Sequence, residues 1–361
     1  GNSWNITDMQ LPGMDSSMYT AMTGDAYAIA SQDETVVVAY FDSWGDSYIV
    51  KSTDNGDTWT KTTFLDFPVD KYSFDDGLDL DNDDTLDFVY STDNYGAVIL
   101  DANGDAHVFY GIMRYVDDDL TDASSSWFPA TNGIAYWNES FGPDITPATV
   151  QDTSLWYSNM MNDHWVIEAP DLNGDGIVSG VDSVGGYALY YASYASMPSA
   201  GLDASGNIWL SFSGYTENAD NGAQVFRHIY ITKSEDGGIT WKTPVNVTPH
   251  DMWNGMQECV FGSMSPLVND KISIVYQLDF EPGLSVRGDE DLVDNNDIVY
   301  LEIDTVGLFD NIPSSIYETN YINHEKEGRI FDVLGRERKS SFADLPKGIY
   351  IIDGKKIFKT K

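Results

Sequence analysis

The chain has 361 residues, more than one small core needs, and a formal net charge of −39 from 58 acids against 19 bases. That imbalance argues against nucleic acid and anionic membrane surfaces as partners, because both call for a basic footprint. A single cysteine, Cys259, rules out an intrachain disulfide, and no apolar run approaches the ~20 residues that a membrane-spanning helix requires.

From the N-terminus the chain reads as short alternating segments: "TVVVAYFD" (35–42), "DSYIVKST" (46–53), "DAHVFYGI" (105–112), "YALYYASY" (187–194), "NIWLSFSG" (207–214), "HIYITKS" (228–234), "KISIVYQLD" (271–279) and "DIVYLEID" (297–304). Each is rich in β-branched and aromatic residues, with turn formers between them. Little of the chain has helical period, so the body is predicted to be all-β. The chain starts at Gly1 without Met, as a processed form or a fragment would.

One eight-residue phrase occurs twice. Ser52-x-Asp54-x-Gly56-x-x-Trp59 returns as Ser234-x-Asp236-x-Gly238-x-x-Trp241. Each copy lies between strands, so it is predicted to be a hairpin turn. The Asp carboxylate accepts turn N–H groups, the Ser hydroxyl adds a bond, Gly supplies positive φ and Trp packs between neighbouring sheets. A second repeat, "LDANGDAHVFY" (100–110) and "LDASGNIWLSF" (202–212), with "LVNDKISIVY" (267–276) as a looser copy, marks a tight turn feeding a strand. Four-strand units of ~45–50 residues are the sequence signature of a propeller blade. The phrase resembles the Asp-box (BNR) repeat of sialidase-like β-propellers. The resemblance implies a β-propeller over 1–305, of about six four-stranded blades with five or seven left open, in which the boxes are structural turns.

Two acidic loops have cation spacing. In "DLNGDGIVSGVD" (171–182), Asp171, Asn173, Asp175, Ser179 and Asp182 offer side-chain oxygens, Ile177 a carbonyl, and Gly176 the sharp turn. This resembles EF-hand and dockerin loops, with Asp in place of the usual terminal Glu, and predicts bound calcium. "DLDNDDTLD" (79–87) is a shorter cousin with Asp79, Asp81, Asp83 and Asp87 as ligands and Asp84 where Gly is preferred.

The tail differs in charge. Residues 325–361 hold 10 of the 19 Lys and Arg. Residues 306–327 read as a linker or degenerate first strands, and 328–361 as a small β domain with strands "RIFDVL", "GIYIID" and "KKIFKT". The elements around Gly335 and Arg336, Pro346, Gly348 and Tyr350, and the Lys355-Lys356 hairpin strongly resemble the C-terminal sorting domain of Bacteroidetes type IX secretion substrates. The resemblance implies that the tail is read by the type IX translocon and shuttle. The cargo would then be secreted, or held at the outer cell surface on lipopolysaccharide.

A sialidase site, as its family builds it, needs three converging arginines, a Tyr nucleophile with a Glu, and an Asp acid/base. Only Arg114, Arg227 and Arg287 occur in residues 1–324. The five histidines show no metal spacing. The sequence therefore favours a calcium-stabilised, non-enzymatic module that binds glycan or protein, with no catalytic residues assigned. A sialidase-like glycoside hydrolase is the alternative.

Overall fold

The computed structural model describes residues 9–143, 166–172 and 188–310 apart from short breaks, with 250–256 and 286–290 left out, and the strands of 330–359. Residues 1–313 and 314–361 form two separate compact units.

In the larger unit, β1 (Tyr27–Gln32), β2 (Thr35–Tyr40), β3 (Ser47–Ser52) and β4 (Thr60–Leu65) form one sheet in chain order. The second sheet holds β5 (Val89–Leu100), β6 (Ala106–Val116), β7 (Ser126–Phe128), β8 (Ile134–Asn138) and β9 (Val166–Ile167). Its order is β5-β6-β8-β9, with β7 also pairing with β6. The third sheet places β10 (Ala195–Asp203), β11 (Ile208–Asp220), β12 (Val225–Ser234) and β13 (Val245–Asn246) in chain order. Then come β14 (Glu258–Met264), β15 (Leu267–Val268), β16 (Lys271–Asp279) and β17 (Asp297–Asp304). Strands β14, β16 and β17 make the fourth sheet, while β15 runs parallel to β10. All other pairings in this unit are antiparallel. The expectation of an all-β body holds, and the described residues contain no α-helix. They build four sheets of this unit, so the expected six blades are not counted here.

The sheets pack in sequence. Phe41 and Phe64 of the first sheet meet Tyr110 and Trp137 of the second. Phe109 and Tyr136 of the second share a core with Leu210, Phe212 and Tyr230 of the third. Trp209, Ile229 and Ile231 of the third pack on Ile272, Ile274 and Leu278 of the fourth. Each fully buried aromatic or branched side chain contributes about 1.5–3 kcal/mol, so each interface is a core in its own right.

One predicted segment, 187–194, differs where the structure describes it. Residues 190–194 form a bent segment rather than a ladder strand. Its polar backbone groups bond elsewhere: carbonyls 192–194 accept from the Arg227 guanidinium, and Ser193 N–H donates to Asp93. Conversely, the first strand of every sheet (β1, β5, β10, β14) had no counterpart among the predicted segments.

In the smaller unit, β18 (Ile330–Asp332), β19 (Glu337–Arg338), β20 (Gly348–Ile352) and β21 (Lys355–Lys359) form an antiparallel sheet of order β19-β18-β20-β21. Gly348, Tyr350, Lys355 and Lys356 lie on its strands, whereas Gly335, Arg336 and Pro346 fall outside the described residues.

Candidate functional site

The two repeated phrases occupy the turn between the third and fourth strands of their sheets, β3 to β4 and β12 to β13, and share one hydrogen-bond set. Ser52 and Ser234 accept from the N–H of Gly56 and Gly238, both at 2.8 Å, and donate to Asp54 and Asp236. Those carboxylates accept from the N–H of Thr58 and Thr240, again both at 2.8 Å, and from their hydroxyls. The Thr58 hydroxyl and N–H bring the Asp54 carboxyl down to about 2. The Ser hydroxyl and Asp carboxylate of each phrase are thus engaged within their own turn, which marks these turns as structural. The pair of threonines was missing from the sequence skeleton. The copies differ at the ring: Trp59 donates to Gly56 O, whereas Trp241 packs edge-on against Phe109 and Tyr136 of the preceding sheet.

A different region carries unusual chemistry. The first strands of three successive sheets each contain a register break: at 92–96 in β5, 196–199 in β10 and 260–263 in β14. Within each break one non-glycine residue adopts positive φ: Asn94 (67°), Met197 (55°) and Phe261 (54°). Tyr191, on the bent segment, has φ 54°. For bulky L-residues this geometry is strained, and such strain concentrates at functional positions. β-Bulges re-aim side chains in the same way. The breaks converge: Ala188, Tyr190, Ala192, Met197 and Val260 form one buried cluster, with Tyr95 and Leu284 packed against it.

Charged groups hold this junction together. Asp93 is buried in the β5 break and accepts from Tyr95 N–H, Ser193 N–H and hydroxyl, and the Ser196 hydroxyl. A side chain at Gly111 would collide with that carboxylate, so the close approach needs glycine. Arg227 is fully buried, with its guanidinium 4.1 Å from the Tyr215 ring centroid and donating to carbonyls 192–194. Its backbone N–H donates to Glu258 Oε2 at 2.6 Å. Glu258 is fully buried, its Oε1 has no hydrogen-bond partner among the described residues, and burial pushes its carboxyl up to about 8. Burial likewise raises Asp93. Across the β14–β16 pairing Glu258 faces Asp279, whose carboxylate accepts from Phe280 and Glu281 N–H. Tyr190 accepts from Gly283 N–H.

The Arg227 side chain donates to backbone carbonyls. Arg114 lies elsewhere, 4.6 and 4.8 Å from the Phe88 and Phe128 ring centroids. The two share no partner among the described residues, and Arg287 lies outside them. Of the calcium candidates, Asn173, Asp175, Ile177, Ser179 and Asp182 lie outside the described residues, as does Asp81. Asp79 accepts from Asp83 and Asp84 N–H, Asp83 from Thr85 N–H, and Asp87 from Leu80 N–H. Asp84 does take left-handed φ, at 66°. Among the described residues no three metal-ligating side chains come together. Cys259 is buried, and its thiol is pushed up to about 12 by burial.

The junction residues were not picked out by sequence reasoning. A signal was present: each broken first strand carries a strand-disrupting residue, Gly96, Pro198 or Gly262.

No protein-family model matches this chain, and no curated protein does. Among solved structures, it is similar to a PL25 ulvan lyase at 12% identity and TM-score 0.37, covering 77% of this chain and 51% of that one. A thermostable family-43 glycoside hydrolase gives 13% identity and TM-score 0.35, covering 93% of each chain. A protein of unknown function from Dyadobacter fermentans gives 11% and 0.29, covering 70% and 56%. The chain spans about half the length of the ulvan lyase, and scores this low say nothing about its chemistry.

Proposed function

We propose that this chain is a cargo of the type IX secretion system: a β-propeller of about six blades that binds glycan or protein outside the cell without turning it over. The sorting function rests on the tail motifs at 328–361. Its partners would be the secretion machinery and, at the cell surface, lipopolysaccharide or another glycan. Calcium at 171–182, and more weakly at 79–87, would offset repulsion in a body of charge −39.

The observation that supports binding over catalysis is the state of the junction. Arg227, Asp93 and Asp279 are committed to protein groups, and Arg227 and Asp93 are sealed from solvent. Exposed aromatic rings sit at its rim. A carboxylate clamp needs free guanidinium donors converging on one point, whereas Arg227 and Arg114 are engaged apart. One observation favours the alternative, a sialidase-like glycoside hydrolase: Glu258 holds a proton near neutral pH with one oxygen unpartnered.

The test incubates purified protein with a glycan array and with polysaccharides, following retention and product release together. Saturable retention with ligand recovered intact supports the proposal. Release of new reducing or unsaturated ends, abolished by Glu258→Gln, would instead establish the hydrolase or a related activity. Deleting 328–361 in a type IX-competent host should leave the protein in the periplasm, and continued export would end the sorting assignment.

A further inference from the structure

Tyr191 and Phe261 combine two costs at one place. Each adopts φ 54°, and each leaves its ring partly in solvent, 40% and 37% exposed. Left-handed geometry costs about 1–2 kcal/mol for an L-residue, and an exposed ring forgoes part of its burial energy. Glycine would relieve the first cost, and Gly262 stands one position away, yet the strained position holds phenylalanine. Both rings are also held in place. Tyr191 lies against Trp127 at 4.7 Å between centroids, and Phe261 meets Tyr190 edge-on at 5.9 Å. Rigid, exposed aromatic faces bind with little loss of rotamer freedom.

The surroundings specify the ligand's charge. The Arg227 guanidinium at this junction is buried and donates to carbonyls 192–194. Beneath lie Asp93, Glu258 and Asp279, in a chain of net charge −39. A body this acidic disfavours a ligand's carboxylate or sulfate through like-charge repulsion. The C–H face of a sugar ring, by contrast, complements the electron-rich face of an aromatic ring.

We infer that Tyr191 and Phe261 are the stacking faces of a subsite for uncharged saccharides, at the rim where the broken strands β5, β10 and β14 meet. This rests on the glycan-binding reading above. The subsite selects against anionic sugars because the chain's net charge of −39 repels them.

Titration calorimetry with cellohexaose, xylohexaose, mannohexaose and arabinohexaose, against hexagalacturonate, tests it in the full-length protein. At least one neutral oligosaccharide should bind more tightly than the uronate. Tyr191→Ala and Phe261→Ala should each weaken that binding about tenfold, and Phe261→Tyr should retain it. Phe261→Gly relieves the strain, so it should lose binding without lowering Tm, whereas a purely structural phenylalanine would show a fall in Tm and unchanged binding. Tighter binding of the uronate, or neutral binding indifferent to both alanine variants, would overturn this subsite and leave the glycan reading standing. Binding of none of the five would overturn this subsite, while the glycan-or-protein reading is decided by the array.

Discussion

Alanine at Gly238 and at Gly56 makes a controlled pair, because the two glycines hold the same place in the repeated turn. Their φ angles are 92° and 91°, so the backbone strain from a Cβ is the same. That strain is about 1–2 kcal/mol, less about 0.4–1 kcal/mol returned by the stiffer unfolded chain. Gly56→Ala should therefore cost about 1 kcal/mol, since its nearest neighbour, Trp59, would be 3.6 Å from the new methyl. At Gly238 the methyl would fall well inside van der Waals contact with the Tyr136 ring and hydroxyl. Tyr136 has little room to move. It is fully buried, donates to Gly237 O at 3.1 Å, bonds His107 Nδ1 at 2.6 Å and accepts from Asn138 at 3.0 Å. Overpacking of this kind adds about 1–3 kcal/mol, so Gly238→Ala should cost about 2–4 kcal/mol. Urea unfolding of both variants, in wild-type and Tyr136→Leu backgrounds, measures the difference. In the Tyr136→Leu background the cost of Gly238→Ala should fall to that of Gly56→Ala. Equal costs in the wild type, or no rescue by Tyr136→Leu, would refute the claim that the second turn docks its sheet onto the preceding one.

Two further outcomes follow from the charges. Glu258 titrates near 4.5 unfolded and at about 8 folded, so between those values the folded state keeps a proton that the unfolded state has lost. Its contribution to stability is intact below about pH 4.5 and falls as pH rises toward 8; Glu258→Gln should flatten that slope and be the more stable form at pH 8–9 by thermal melting. Added calcium should raise Tm in the wild type, and Asp171→Ala with Asp175→Ala should abolish the rise; no shift in the wild type counts against the loop at 171–182.

How much was legible in the sequence depended on which strand was being read. The second and third strands, such as β2, β3, β11 and β16, are dense in β-branched and aromatic residues and match predicted segments closely. The first strands β5, β10 and β14 lack that density, because they carry Gly, Pro and small residues where their registers break. The segment 187–194 fails in the opposite sense. Its aromatics suggest a strand, but the Arg227 guanidinium and Asp93 carboxylate take the hydrogen bonds that a ladder would use. Those two residues are far apart in sequence, so no local pattern announces the contact. The repeated turns were legible because their bonds are local: Ser52, Asp54, Gly56 and Thr58 satisfy one another within seven positions.

Backbone hydrogen exchange, followed by mass spectrometry with and without a saturating neutral oligosaccharide, tests the central claim most directly. Slowed exchange is expected together at 92–96, 190–199 and 258–264, with the saccharide recovered uncleaved. Protection confined to other segments, or a shortened saccharide, would contradict a binding site built where the three broken strands meet.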